Sequence, residues 1–118
     1  MATYSRLLLS GSTNGRPIVV VAVATAGTLI HTSLTESTGF DEIYLWVSNV
    51  TAAAATLTLE WGGVTDPGDH LVSAVSIPPR SEPIPIATGQ VLNNTLIVRA
   101  FGGTASALNI TGYVNRIS

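Results

Sequence analysis

The chain has no cysteine and no lysine, and only 10% of its 118 residues are charged. Without cysteine there can be no disulfide, no thiolate nucleophile and no Cys-based zinc site. Without lysine, the positive charge rests on Arg6, Arg16, Arg80, Arg99 and Arg116, scattered singly along a chain of formal charge −2. Nucleic-acid binding draws on clustered cations that release counterions, so no nucleic-acid partner is expected. A soluble domain normally carries about a quarter charged residues. A surface this poor in charge is either polar through Thr, Ser and Asn or covered by partners. Aromatic residues are few as well, at 6%, so much of the core must be made of small aliphatic side chains.

Long apolar runs are also missing. The longest, from Ile18 to Ala26, falls well short of the roughly 20 residues of a membrane helix, and no membrane partner is expected. Leu7 to Leu9 is too short for the apolar core of a secretory signal, so none is expected at the start. No helical period is visible. At this length one domain can fold by itself, burying about two thirds of the unfolded chain's surface.

What the chain does have is alternation. In DEIYLWVSN, Ile43, Leu45 and Val47 alternate with Tyr44, Trp46 and Ser48, which is the period of a strand. In TLTLEW, Leu57, Leu59 and Trp61 form a dry side, and Thr56, Thr58 and Glu60 a wet one. With 49–55 as the connection, the stretch 41–63 reads as a long antiparallel hairpin at the centre of the fold. Ile18 to Ala24 is continuous and β-branched, the pattern of a strand covered on both faces. Further alternating segments run over 28–34, 70–77, 96–101 and 107–117, separated by turn chemistry such as Asn14-Gly15, Pro67-Gly68 and Gly102-Gly103. Gln90 to Asn93 reads as a brief strand or a turn. Pro83 and Pro85 around Ile84 and Ile86 mark an extended edge segment. The expectation is an all-β, single-domain antiparallel β-sandwich with about eight strands, either a jelly roll or an immunoglobulin-like sandwich, and jelly-roll-like on the count, since eight strands fit that better than seven. Residues 1–9 form an N-terminal arm or edge strand, and 10–118 the sandwich.

No residue group carries recognisable chemistry. His31 and His70, with Glu36, Asp41, Glu42, Asp66 and Asp69, lack the short fixed spacings of zinc ligands, and His31 reads as a polar surface residue on a strand. Asp66, Gly68 and Asp69 lack the full ligand series of a calcium loop. No serine sits in a Gly-x-Ser-x-Gly elbow, and Asp41 and Glu42, adjacent on a strand, point to opposite faces. The chain is therefore expected to be no enzyme and to need no metal or cofactor. Tyr44, Trp46, Trp61 and Tyr113 could together form a platform for stacking sugars, which would make it a glycan-binding module.

SRLLLSGSTNGRPI near the start, DEIYLWVSN and LTLEWGG in the middle, and LIVRAFGG with GYVNRI near the end resemble small virion proteins of tailed bacteriophages. The resemblance spans almost the whole chain and implies a capsid decoration, or cement, protein. Such a protein is made in the bacterial host cytoplasm and sits on the outer capsid surface, bridging major capsid proteins as a homo-oligomer, often a trimer. A tail, fibre or head-tail junction component is the alternative within the same resemblance. The residues proposed for capsid contact are Arg6, Leu7, Leu8 and Leu9 on the arm. Those proposed for self-association are Tyr44, Trp46, Ile84 and Ile86, because aromatic and apolar anchors dominate interface energies. Deleting residues 1–9 is expected to leave the fold intact.

Overall fold

The computed structural model describes residues 3–118. In chain order the strands are β1 (Tyr4–Leu8), β2 (Ile18–Val19), β3 (Thr28–Thr32), β4 (Phe40–Asn49), β5 (Ala55–Trp61), β6 (His70–Ile77), β7 (Ile84–Leu92), β8 (Ile97–Gly102) and β9 (Leu108–Ile117). The first sheet runs β1-β9-β4-β7, with β2 beside β1 on the same edge of β9; the second runs β3-β8-β5-β6. Every pairing is antiparallel.

The pairings nest. β1 and β2 pair with β9, β3 with β8, β4 with β7 and β5 with β6, so the first half of the chain meets the second half in reverse order, as in one long hairpin. Rolling that hairpin up brings β9 against β4 and β8 against β5. This is the strand order of a jelly roll, and the all-β single-domain antiparallel sandwich has nine strands.

Period two decides what each strand buries. Along β4, Asp41, Ile43, Leu45, Val47 and Asn49 face inward, and Phe40, Glu42, Tyr44, Trp46 and Ser48 stay partly exposed. Ile30, Leu57, Leu59, Val98, Leu108, Ile110 and Val114 meet them from the other strands. Burying each of these large aliphatic side chains contributes roughly 1.5–3 kcal/mol. Backbones also approach closely. A Cβ added at Gly112 on β9 would run into the Tyr44 carbonyl oxygen on β4.

Several expectations are corrected. The stretch 41–63 is not a hairpin: β4 lies in the first sheet and β5 in the second, and the connection crosses between them. Asn49 builds that crossing. Its amide nitrogen donates to the carbonyls of Ala53 and Ile77, and its oxygen accepts from the Thr51 N–H. Only Ile18–Val19 of the 18–24 run is strand. Past it the chain leaves β9, continues through single bonds such as Gly102 N–H to the Ala22 carbonyl, and exposes Val21 and Val23, each 56% accessible. The wet side of β5 is largely dry, since Thr58 and Glu60 are buried. Gln90 to Leu92 belongs to β7, an edge strand as its prolines required, with register shifts against β4. Within the segment 1–9, Tyr4–Leu8 is the edge strand β1, Leu9 enters the core, and Met1 and Ala2 lie outside the described residues. Removing 1–9 would therefore strip an edge from the first sheet, contrary to the expected intact fold.

Candidate interaction face and buried ion cluster

The outward side chains of the first sheet follow from its register. Three cross-strand rows run Tyr4–Ile117–Phe40, Arg6–Asn115–Glu42 and Leu8–Tyr113–Tyr44, with Trp46 opposite Thr111 in the next. Five of the seven aromatic residues (Tyr4, Phe40, Tyr44, Trp46 and Tyr113) thus share one outer face. Three of them stack. Tyr113 lies 5.0 Å from Tyr44 at 14° and 6.1 Å from Trp46 at 26°, and the Arg6 guanidinium sits 4.9 Å from the Tyr113 ring centre. Aromatic pairs of this kind contribute about 0.5–1.5 kcal/mol beyond burial. Arg6 approaches Tyr113 from the strand on its other side, so the Tyr113 ring lies between Arg6 and the β4 aromatics. Trp61 is remote from this group: it packs against the core and donates from its indole nitrogen to the Val91 carbonyl at 3.3 Å.

The register divides the residues proposed from sequence. Arg6, Leu8, Tyr44 and Trp46 lie together on the outer face. Leu7 packs against the core, Leu9 is part of it, and Ile84 and Ile86 pack against it from β7. Those four apolar side chains serve the interior.

A second group was not anticipated. Asp41, 0% exposed, accepts from Arg116 Nε at 2.8 Å and from an Arg116 terminal nitrogen at 3.0 Å, and its Oδ2 lies 2.7 Å from His31 Nε2. Asp41 and Arg116 are register partners on β4 and β9; His31 reaches across from β3 in the other sheet. The Ser10 backbone N–H lies 3.0 Å from His31 Nδ1. A backbone N–H can only donate, so Nδ1 accepts and Nε2 carries the proton that goes to Asp41. Burial lowers the His31 pKa below its ordinary 6.5, outweighing the Asp41 hydrogen bond that would raise it. Burial pushes the Asp41 carboxyl up, but the hydrogen bonds from Arg116 and His31 together outweigh it and hold it below 3.8. The cluster is thus a neutral imidazole on an Arg–Asp ion pair, tying both sheets to the turn after β1.

Ser10, His31 and Asp41 have the residue types of a hydrolytic triad without its geometry. A nucleophilic hydroxyl must donate to the imidazole. The Ser10 hydroxyl instead accepts from the Thr32 N–H at 2.7 Å, and His31 is 1% exposed.

Glu60 is likewise 0% exposed. It accepts from the Thr25 hydroxyl at 2.5 Å and the Gly27 N–H at 2.7 Å, pinning the loop between β2 and β3 over the second sheet. Asp69 accepts from the Thr65 N–H, closing the β5–β6 turn on itself. Among the described residues no three His, Asp or Glu side chains converge as metal ligands would. A groove of about 420 Å³ beside the 11–18 turn has Arg16 as its single charged lining residue.

No family model, curated protein or solved structure matches this chain.

Proposed function

We propose that this chain is a structural virion protein that decorates and stabilises a tailed-bacteriophage capsid, bridging major capsid proteins on the outer surface. The observation that carries the reading is the outer face of the first sheet: a sheet face on the molecular surface bears most of the aromatic residues and only two charged ones, Arg6 and Glu42. Such a face is suited to protein surfaces, whose interface cores are enriched in aromatics and depleted in charge. The sequence resemblance supplies the virion context.

A bridging subunit needs contact in more than one direction. Beside the aromatic face lies the flank of β1 and β2, where β1 has a free edge and Val19, Val21 and Val23 are exposed. Free edges with apolar neighbours take up partners. We assign the shell contact to this flank and self-association to the aromatic face. Each copy adds a modest interface, and repetition over the lattice multiplies it.

The test is co-sedimentation with capsids of the encoding phage that lack the protein. Saturation at many copies per particle, lost when Val21 and Val23 are both changed to Asp, is the expected result. Binding only at one vertex or on tails would replace the reading with a junction or tail component, and absence of binding would refute it.

A further inference from the structure

We propose that the outer face of the first sheet is a two-fold interface that joins this chain to a second copy of itself, with the axis running along β9. The register of the face supports both partner and axis. Arg6 and Glu42 share one cross-strand row with Asn115 of β9 between them, two strand spacings or about 9.6 Å apart. Neither forms an ion pair among the described residues. A two-fold axis parallel to β9, midway between two facing sheets, exchanges the β1 side of one copy with the β4 side of the other. Arg6 then faces the partner's Glu42, and Glu42 faces the partner's Arg6.

The same operation sorts the apolar residues. Leu8 comes opposite the partner's Tyr44, Tyr4 opposite the partner's Phe40, and Tyr113 meets the partner's Tyr113 across the axis. An axis laid across the strands through the Arg6 row would instead set Arg6 against the partner's Arg6. Facing sheets pack about 10 Å apart, a gap that arginine and glutamate side chains span together.

With the axis along β9, the strands that overlap are β1 with β2, β9 and β4, about 14 Å across and about 33 Å long, giving about 480 Å² per copy. Two copies bury about 950 Å², the size of a reversible contact, so the pair forms as concentration rises. Because one patch meets itself, the contact closes as a pair and does not propagate. A pair differs from the trimer that the resemblance implies. The inference rests on the self-association assigned to this face under the capsid reading, but it is measured on the protein alone, so its failure is distinguishable from a failure to bind capsids.

The experiment is light scattering across a concentration series on the wild type, Arg6→Glu, Glu42→Arg, the double variant, and an equimolar mixture of the two singles. Circular dichroism melting confirms that each is folded. The wild type is expected to approach twice 12.2 kDa as its concentration rises. Each single variant should weaken pairing at least tenfold by opposing like charges twice. The mixture and the double variant should both recover the pair, because each restores two opposite-charge contacts. A wild type that stays at one chain across the series or reaches three, singles that pair as the wild type does, or a mixture no tighter than the singles would overturn the proposal.

Discussion

Asp41→Asn is the sharpest test of how the two sheets are held together. The change keeps shape and removes one charge, yet no orientation of the amide satisfies the cluster. If its oxygen takes the place of Oδ2, it can accept from His31 and one Arg116 nitrogen, but the amide N–H₂ then meets Arg116 Nε–H. If its oxygen takes the place of Oδ1, the N–H₂ faces the other Arg116 nitrogen and His31 Nε2–H. Shifting the imidazole proton to Nδ1 only moves the conflict to the Ser10 N–H. Removing one partner of a buried pair costs about 3–5 kcal/mol. The Arg116 side chain is 31% exposed and can rehydrate, which places the expected loss near the lower end, about 3 kcal/mol. With an unfolding entropy of roughly 2.1 cal/mol/K per residue, that is a fall in Tm of about 12 °C for this chain. Urea unfolding followed by tryptophan fluorescence, with the slope unchanged from wild type, measures it directly. The triple variant His31→Phe, Asp41→Leu, Arg116→Met removes the charges together and is expected within about 1 kcal/mol of wild type or above it. A loss below about 1 kcal/mol for Asp41→Asn would refute the role given to the cluster.

Three further outcomes are expected. Stability should decline as pH falls below 6.5, because His31 takes up a proton in the unfolded chain while it stays neutral in the folded one. It should decline again below 3.8, where unfolded Asp41 takes up a proton before the folded carboxylate does; a urea midpoint that stays level from pH 7 to 3 would contradict both directions. Gly112→Ala should cost about 3 kcal/mol or more, since its Cβ forces β9 away from the Tyr44 carbonyl, and wild-type stability in this variant would count against the close approach. Glu60→Leu should cost about 1–3 kcal/mol by leaving the Gly27 N–H and the Thr25 hydroxyl without their acceptor. Its signature is faster hydrogen exchange at the Gly27 amide with little change in the β4 amides.

Much of the fold was legible because period two survives in the sequence of β4, β5, β8 and β9. Partners were not legible in the same way. Alternation in 43–48 and 56–61 marks two strands equally well whether they pair with each other or, as here, with β9 and β7 on one side and β8 and β6 on the other. Two members of the ion cluster were readable by phase: Asp41 falls in step with Ile43, Leu45 and Val47, and Arg116 with Ile110 and Val114. His31 was hidden by the irregularity between Leu29 and His31, which buries Ile30 and His31 in succession and breaks the alternation that would have assigned it inward. Glu60 was misread for a different reason. Its face is covered by the loop over Thr25 and Gly27, a tertiary contact that no local pattern encodes. The outer aromatic face was half visible: Tyr44 and Trp46 were in phase with each other, but their neighbours Tyr113 and Arg6 come from strands far along the chain.

The central position of β9 has a consequence for the order of events in folding. β9 lies between β4 on one edge and β1 and β2 on the other, yet it follows all three in the chain. During synthesis β1, β2 and β4 are made with the gap between them empty, and their edges stay unpaired until residues 108–117 arrive. The first sheet therefore cannot grow strand by strand from the N-terminal side, but closes in one late step over long sequence separations. Such closure is slow and leaves apolar strands open to wrong partners in the meantime. A nascent chain halted before residue 108 should bind holdase chaperones and leave unprotected the β4 amides that face β9, and extension past residue 117 should bring β1, β2 and those β4 amides to protection together.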